Sequence, residues 1–271
     1  MEWSKLKNIV LILLIMTNLC LVGFLGHQHW ESRRQEQQAR SQAIEFLRSK
    51  HITLDPGAVP QEMELRPMQA ERDSTLEEQG ARALLGHDCV PEDKGAEVYR
   101  YHSPRGSIQF HSDGAFSGEF APGAFPLGED REQACTELLK KLDFHGVLVK
   151  DRGRELVFRE NREDMPIFNQ TVTLVCEDNA VVAMTGGRRL TGRPVPDESR
   201  ETVTVATALF GFYNGLGVLG DVCSRVDSID RGYISAASLT GPMLLTPVWR
   251  INTDTGSYQL DLMTAALTRL N

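Results

Sequence analysis

Residues 8–26 read NIVLILLIMTNLCLVGFLG, and from Ile9 to Leu25 no side chain is charged. As a helix this run rises about 26 Å at about 1.5 Å per residue. That is near the lower limit for a hydrocarbon core of about 30 Å. Trp3 and Trp30 flank it roughly 40 Å apart along a helix, close to the separation of the two interfacial belts that indole rings prefer. Whatever follows residue 30 is polar enough to fold in water. The chain therefore reads as one membrane anchor carrying one soluble region.

Cleavage of the run as a signal peptide needs small residues at positions −3 and −1. The pairs Leu21/Gly23 and Phe24/Gly26 each supply only one, and Leu19 before Cys20 does not suit a lipoprotein site. The run is accordingly read as an uncleaved transmembrane helix. Lys5 and Lys7 precede it, while Arg33, Arg34 and Arg40 follow, so the positive-inside rule is nearly balanced. The short tail is easily left behind during insertion. The expected arrangement is a cytoplasmic N-terminus, a single-pass span in the cell membrane, and an extracellular C-terminal region. Trp3, Lys5, Lys7 and Trp30 are its interface anchors.

The chain has 271 residues and a net charge of −8. Beyond the anchor it is more acidic still, which argues against nucleic acid and against lying flat on an anionic membrane. Cys89, Cys135, Cys176 and Cys223 follow the anchor at wide spacings with no CxxC. They fit either two disulfides or four buried thiols. They do not fit a structural zinc site, whose ligands cluster closely in sequence.

Residues 27–50 contain no Pro or internal Gly and are rich in helix formers, so the membrane helix is expected to continue outward as a stalk. Ala39, Ala43, Phe46, Leu47 and Ile52 give its end one core-facing stripe. A second helix is expected over Ser74–Gly86, with Ser74 and Glu77 spaced as a capping box. Period-two runs follow, with His111–Gly114 as a hairpin turn. Pro122–Gly128 is the expected internal boundary.

The second half predicts a helix over Asp130–Leu142. Strands are expected at Glu155–Arg159, Ile167–Cys176 and Ala180–Gly186. A helix over Val203–Asn214, closed by Gly215, precedes strands at Arg225–Ser235, Pro247–Thr253 and Tyr258–Met263. Helix followed by antiparallel strands thus recurs from about residues 39, 130 and 202. The fold class is α+β, with helices packed on antiparallel sheets in a two-subdomain extracytoplasmic region preceded by one transmembrane helix. The expected organisation is a cytoplasmic tail (1–7), transmembrane helix (8–26), juxtamembrane stalk helix (27–50), N-terminal α+β subdomain (51–125) and C-terminal α+β subdomain (126–271).

The opening MEWSKLKNIVLILLIMTNLCLVGFL resembles the N-terminus of the YycI family, in Trp3-Ser4-Lys5, Lys7 and an apolar run containing Asn18. Pro247-Val248-Trp249-Arg250-Ile251, followed by a turn and Tyr258, is similar to that family's closing hairpin. Residues 55–200 show no such match. The resemblance implies a non-enzymatic single-span regulator of the WalK/WalR (YycG/YycF) two-component system in low-GC Gram-positive bacteria. It would act through contacts of its transmembrane helix and ectodomain with the sensor histidine kinase and a YycH-like partner, in cell-wall homeostasis.

Read from the residues alone, Asn18 is the most informative position in the span. A carboxamide in lipid seeks a partner helix, with a coupling of roughly 0.6–2 kcal/mol, and Gly23 and Gly26 permit close approach. A lone Asn is also tolerated in a solitary anchor. His27 and His29 have no further metal ligands nearby in sequence, and Thr185–Gly192 lacks phosphate-loop spacing. No GxSxG, HExxH or EF-hand pattern occurs. Glu155, Glu160, Glu163 and Asp164 read as acidic surface, and Asn169-Gln170-Thr171 is a formal glycosylation sequon. Phe210, Phe212 and Tyr213 read as helix-face core rather than a ligand groove. Catalytic residues, cofactors and metals are not expected. The alternatives are an extracytoplasmic ligand-binding receptor and a cell-wall-acting enzyme.

Overall fold

The computed structural model describes residues 14–18, 31, 33–162, 164–187, 192–236 and 242–270. The transmembrane assignment 8–26 falls outside the described residues except for the helical stretch 14–18, as do Trp3, Lys5, Lys7, Gly23, Gly26, His27, His29 and Trp30. Among the described residues, no helix is long and apolar enough to cross a membrane.

Helix α1 (residues 33–49) begins exposed and ends buried, as its stripe requires: Ala43, Leu47 and the following Ile52 are all in the core. Two short strands follow, β1 (Thr53–Leu54) and β2 (Met68–Ala70). Three further helices each open a run of four strands. Helix α2 (Ser74–Leu85) precedes β3 (Val90–Asp93), β4 (Tyr99–Ser103), β5 (Gly106–Phe110) and β6 (Phe116–Phe120). Helix α3 (Arg131–Lys140) precedes β7 (Gly146–Asp151), β8 (Glu155–Arg162), β9 (Met165–Glu177) and β10 (Ala180–Gly186). After the short β11 (Val195–Pro196), α4 (Val205–Leu219) precedes β12 (Arg225–Ala236), β13 (Met243–Thr253), β14 (Ser257–Asp261) and β15 (Leu267–Leu270).

Each set of four is an antiparallel meander, so the recurring unit is a helix followed by four strands. The units start at Ser74, Arg131 and Val205. The recurrence expected from residue 39 is displaced, because α1 is followed by only two residues of strand before the chain turns away. The first two meanders join through their last strands, β6 against β10. The third attaches where Ile167 of β9 runs parallel to Tyr233 of β12. Asn169 extends that single bridge. Its Nδ2 donates to the Ser235 carbonyl at 2.7 Å and its Oδ1 accepts from the Ser235 amide at 2.8 Å, in the manner of one more backbone rung. The sequon's carboxamide is therefore part of the sheet junction. Together the described strands form one hydrogen-bonded system in a mixed α+β fold.

Two apolar cores sit on this sheet. One gathers α1, β1, β2, α4 and β12–β15, with Trp249, Tyr258 and Phe212 at its centre. The other gathers α2, β4–β6, α3 and β8–β10 around Phe110, Phe116, Phe144 and Phe158. They do not divide at residue 125: Phe125 and Leu127 are buried in the second core, and residues 43–70 share the first with residues 205–267. The Pro122–Gly128 stretch is a loop, but its backbone pairs with the β9–β10 turn and the start of β10, so it ties the first two meanders together.

Local chemistry departs from expectation at two helix ends. The α2 cap is Asp73, whose side chain accepts from the Thr75 and Leu76 amides. Glu77 is turned inward instead, and Arg72 grips both its oxygens at 2.9 and 2.8 Å. Helix α4 does not stop at Gly215 but runs on to a left-handed Gly220. Gly211 and Gly215 share one α4 face, and a Cβ on them would lie 2.7 Å from Ala265 and 2.3 Å from Leu267. Their role is close approach to the β14–β15 turn, not termination. Phe212 is buried as expected. Phe210 is partly exposed, with its ring 5.0 Å from that of Phe46 on α1.

Candidate functional site

A groove of about 910 Å³ lies where the two cores meet. Leu65, Met68, Ile167, Tyr233 and Leu245 form its apolar side. Lys140, Asp143, His145, Arg162, Asp164 and Arg193 bring charge to it. Its position follows from topology: β9 leaves the second core at Ile167 to reach β12, and the two helix-covered faces diverge there. An apolar floor with a few charged groups is the usual make-up of a binding cleft.

Glu160 is held by Arg162 and the His145 backbone, two residues that line this groove. It is 2% exposed, so its assignment to an acidic surface is wrong. On β8 it alternates inward with Leu156 and Phe158, and strand periodicity places it in the core regardless of its charge. Arg162 Nε donates to Oε1 at 2.9 Å, and the His145 amide donates to Oε2 at 3.2 Å. Arg162 also reaches the Asp143 carboxylate at 3.1 Å. Burial pushes the Glu160 carboxyl up to about 7, against the opposing pull of Arg162. Both oxygens are occupied by protein donors. The group is therefore built to latch the β7–β8 region rather than to exchange a proton with a bound molecule.

The motif Pro247–Ile251 lies on β13 at the middle of the third meander. Pro247, Trp249 and Ile251 are buried, facing the first core. Arg250 points to the opposite face, directly across from Asp230 of β12. There its guanidinium carbon stacks 4.0 Å from the centroid of Phe168, and that of Arg159 lies 5.6 Å from the same ring. The motif is thus structural on one face and cationic on the other. Neither Glu160 nor the Arg159–Phe168–Arg250 cluster carries a local sequence signal, because their partners come from distant strands.

Asn18 is exposed, and its Nδ2 donates to the Leu14 carbonyl of its own helix at 2.8 Å. Cys89, Cys135, Cys176 and Cys223 are free thiols; the first three are buried and Cys223 is half-buried. Burial raises Cys135 to about 12 and Cys223 to about 11, so neither is a nucleophile near neutrality. Among the described residues, no three His, Cys, Asp or Glu side chains are grouped to hold a metal ion.

No family model and no curated protein matches the chain, so the resemblance to the YycI family rests on the residues quoted above. Among solved structures, the chain is similar to an uncharacterized protein from Eubacterium rectale, at 14% identity and a TM-score of 0.42. That match covers 78% of this chain and 87% of the other. It is also similar to the YpeB C-terminal domain of Bacillus megaterium, at 15% identity and a TM-score of 0.36, over 74% of this chain and 99% of that one.

Proposed function

We propose that the chain is a non-enzymatic, single-span membrane regulator of a sensor histidine kinase. In this reading it acts through its N-terminal apolar helix and its ectodomain, beside a YycH-like partner. The observation that supports it is the course of α1. The helix leaves the N-terminal segment exposed, then buries Ala43, Ile44 and Leu47 in the first core and packs Phe46 on Phe210 and Tyr213 of α4. A lateral or rotational displacement of α1 is then transmitted to the sheet, because a packed helix moves as a body. The YycI-like anchor and closing hairpin supply the kinase as the partner. Asn18, with its Oδ1 left as an acceptor, supplies a contact inside the membrane.

The test is affinity purification of the full chain from its native membranes, with mass spectrometry of co-purifying proteins. Enrichment of a sensor kinase together with a second single-span protein is expected. Recovery of neither contradicts the proposal. The groove of about 910 Å³ favours one other reading, a receptor for a peptide or wall fragment.

A further inference from the structure

Part-buried arginines in this fold are normally met by oxygen. Arg40 donates to the carbonyls of Pro56, Val59 and Pro60, Arg72 to Glu77, and Arg162 to Glu160 and Asp143. Arg159 and Arg250 break that pattern. They come from β8 and β13, on different meanders, yet both guanidinium groups stand against the Phe168 ring at the junction between them. Phe168 is 7% exposed and belongs to neither core, and Gly232 beneath it leaves no room for a side chain. The Nε of each arginine is buried with no hydrogen-bond partner.

Among the described residues, no carboxylate lies within ion-pair distance of either guanidinium. The nearest acid across the strand pair, Asp230, already accepts from Asn252 at 3.1 Å. Its attraction for Arg250 is outweighed by burial and by repulsion from Arg159. Two like charges share one ring here and, among the described residues, neither is ion-paired, which leaves their forks open to an anion.

We propose that Arg159 and Arg250 form a phosphate-binding site at the junction of the second and third meanders. Two planar guanidinium forks suit a multiply charged oxyanion, which accepts several charge-assisted hydrogen bonds. The stacked Phe168 holds Arg250 in place before the ligand arrives. A bound phosphate ties β8 to β13 across a junction whose parallel backbone pairing is one bridge, and so stiffens the link between the two cores. The inference stands independently of the regulatory reading. The shared chemistry is a phosphate group, and the two probes below separate a free phosphate or monoester from a diester on a lipid or polymer.

Isothermal titration on the full chain in detergent micelles tests this, at ionic strength held constant with sodium chloride. The probes are inorganic phosphate and the soluble diester glycerophosphoglycerol. The proteins are wild type, Arg159→Gln, Arg250→Gln and Arg250→Lys. Saturable binding of one phosphate group per chain is expected, weakened about tenfold or more in the Gln variants. Arg250→Lys, which keeps the charge and loses the fork, is expected to fall between. Tighter binding of inorganic phosphate assigns a free ligand, and tighter binding of the diester assigns a headgroup or polymer; either supports the site. If Arg250→Gln fails to fold, Arg159→Gln and Arg250→Lys carry the comparison. Absence of saturable binding by both probes, or binding unchanged in the variants that fold, overturns it.

Discussion

Trp249→Ala is expected to lower the stability of the folded region by about 3–5 kcal/mol, the cost of emptying a large, fully enclosed aromatic site. Trp249 is 0% exposed. It lies on β13 with Arg231 of β12 and Leu260 of β14 as its cross-strand neighbours, so strands on both sides confine the cavity. Its indole Nε1 is buried without a hydrogen-bond partner. Trp249→Phe therefore loses volume but no hydrogen bond, and is expected to cost well under half as much as the alanine variant. Urea unfolding followed by circular dichroism checks both. Equal midpoint shifts for Ala and Phe would show that the indole is held by something other than packing.

The second large effect is a pH dependence carried by Glu160. Its carboxyl is pushed from 4.5 to about 7 in the folded chain, chiefly by burial and only partly restrained by Arg162. An acid with a raised folded-state pKa holds its proton more tightly when folded than when unfolded. Its favourable contribution is therefore complete below 4.5, declines as pH rises, and is gone above about 7. The loss across that window is about 3 kcal/mol from this one group. Glu160→Gln is expected to remove that slope and to be the more stable protein at pH 8. Parallel denaturation curves for wild type and variant at pH 5 and pH 8 measure it. A wild type that keeps the same gap to the variant at both pH values would contradict the assigned shift.

These two residues also show what can be read from a chain like this. Trp249 was legible: an aromatic residue between Val248 and Ile251 in a strand-like run belongs against a core, and it is there. The α1 stripe, the Asp130 helix start and the His111–Gly114 turn were legible for the same reason, since each is set by neighbours in sequence. Glu160 was not, because its charge argued for the surface and its burial depends on Arg162, Asp143 and the His145 backbone. Strands β3 and β7 were missed because every residue in them is exposed or half-exposed, so no buried face patterns their sequence. Helix α4 was cut short at Gly215 because the contact that explains that glycine, Leu267, lies 52 positions away in sequence. The Arg159–Phe168–Arg250 cluster needs three strands brought together, and no spacing announces it.

The central claim is that the apolar segment near the start of the chain acts by touching other membrane helices, with α1 carrying the consequence into the sheet. The most direct measurement is kinase autophosphorylation in membranes containing either the natural chain or one whose residues 8–26 are replaced by an unrelated apolar helix of equal length. Loss of the chain's effect on the kinase, with expression and the ectodomain's melting temperature unchanged, is the predicted result. An effect that survives the replacement undiminished would contradict it.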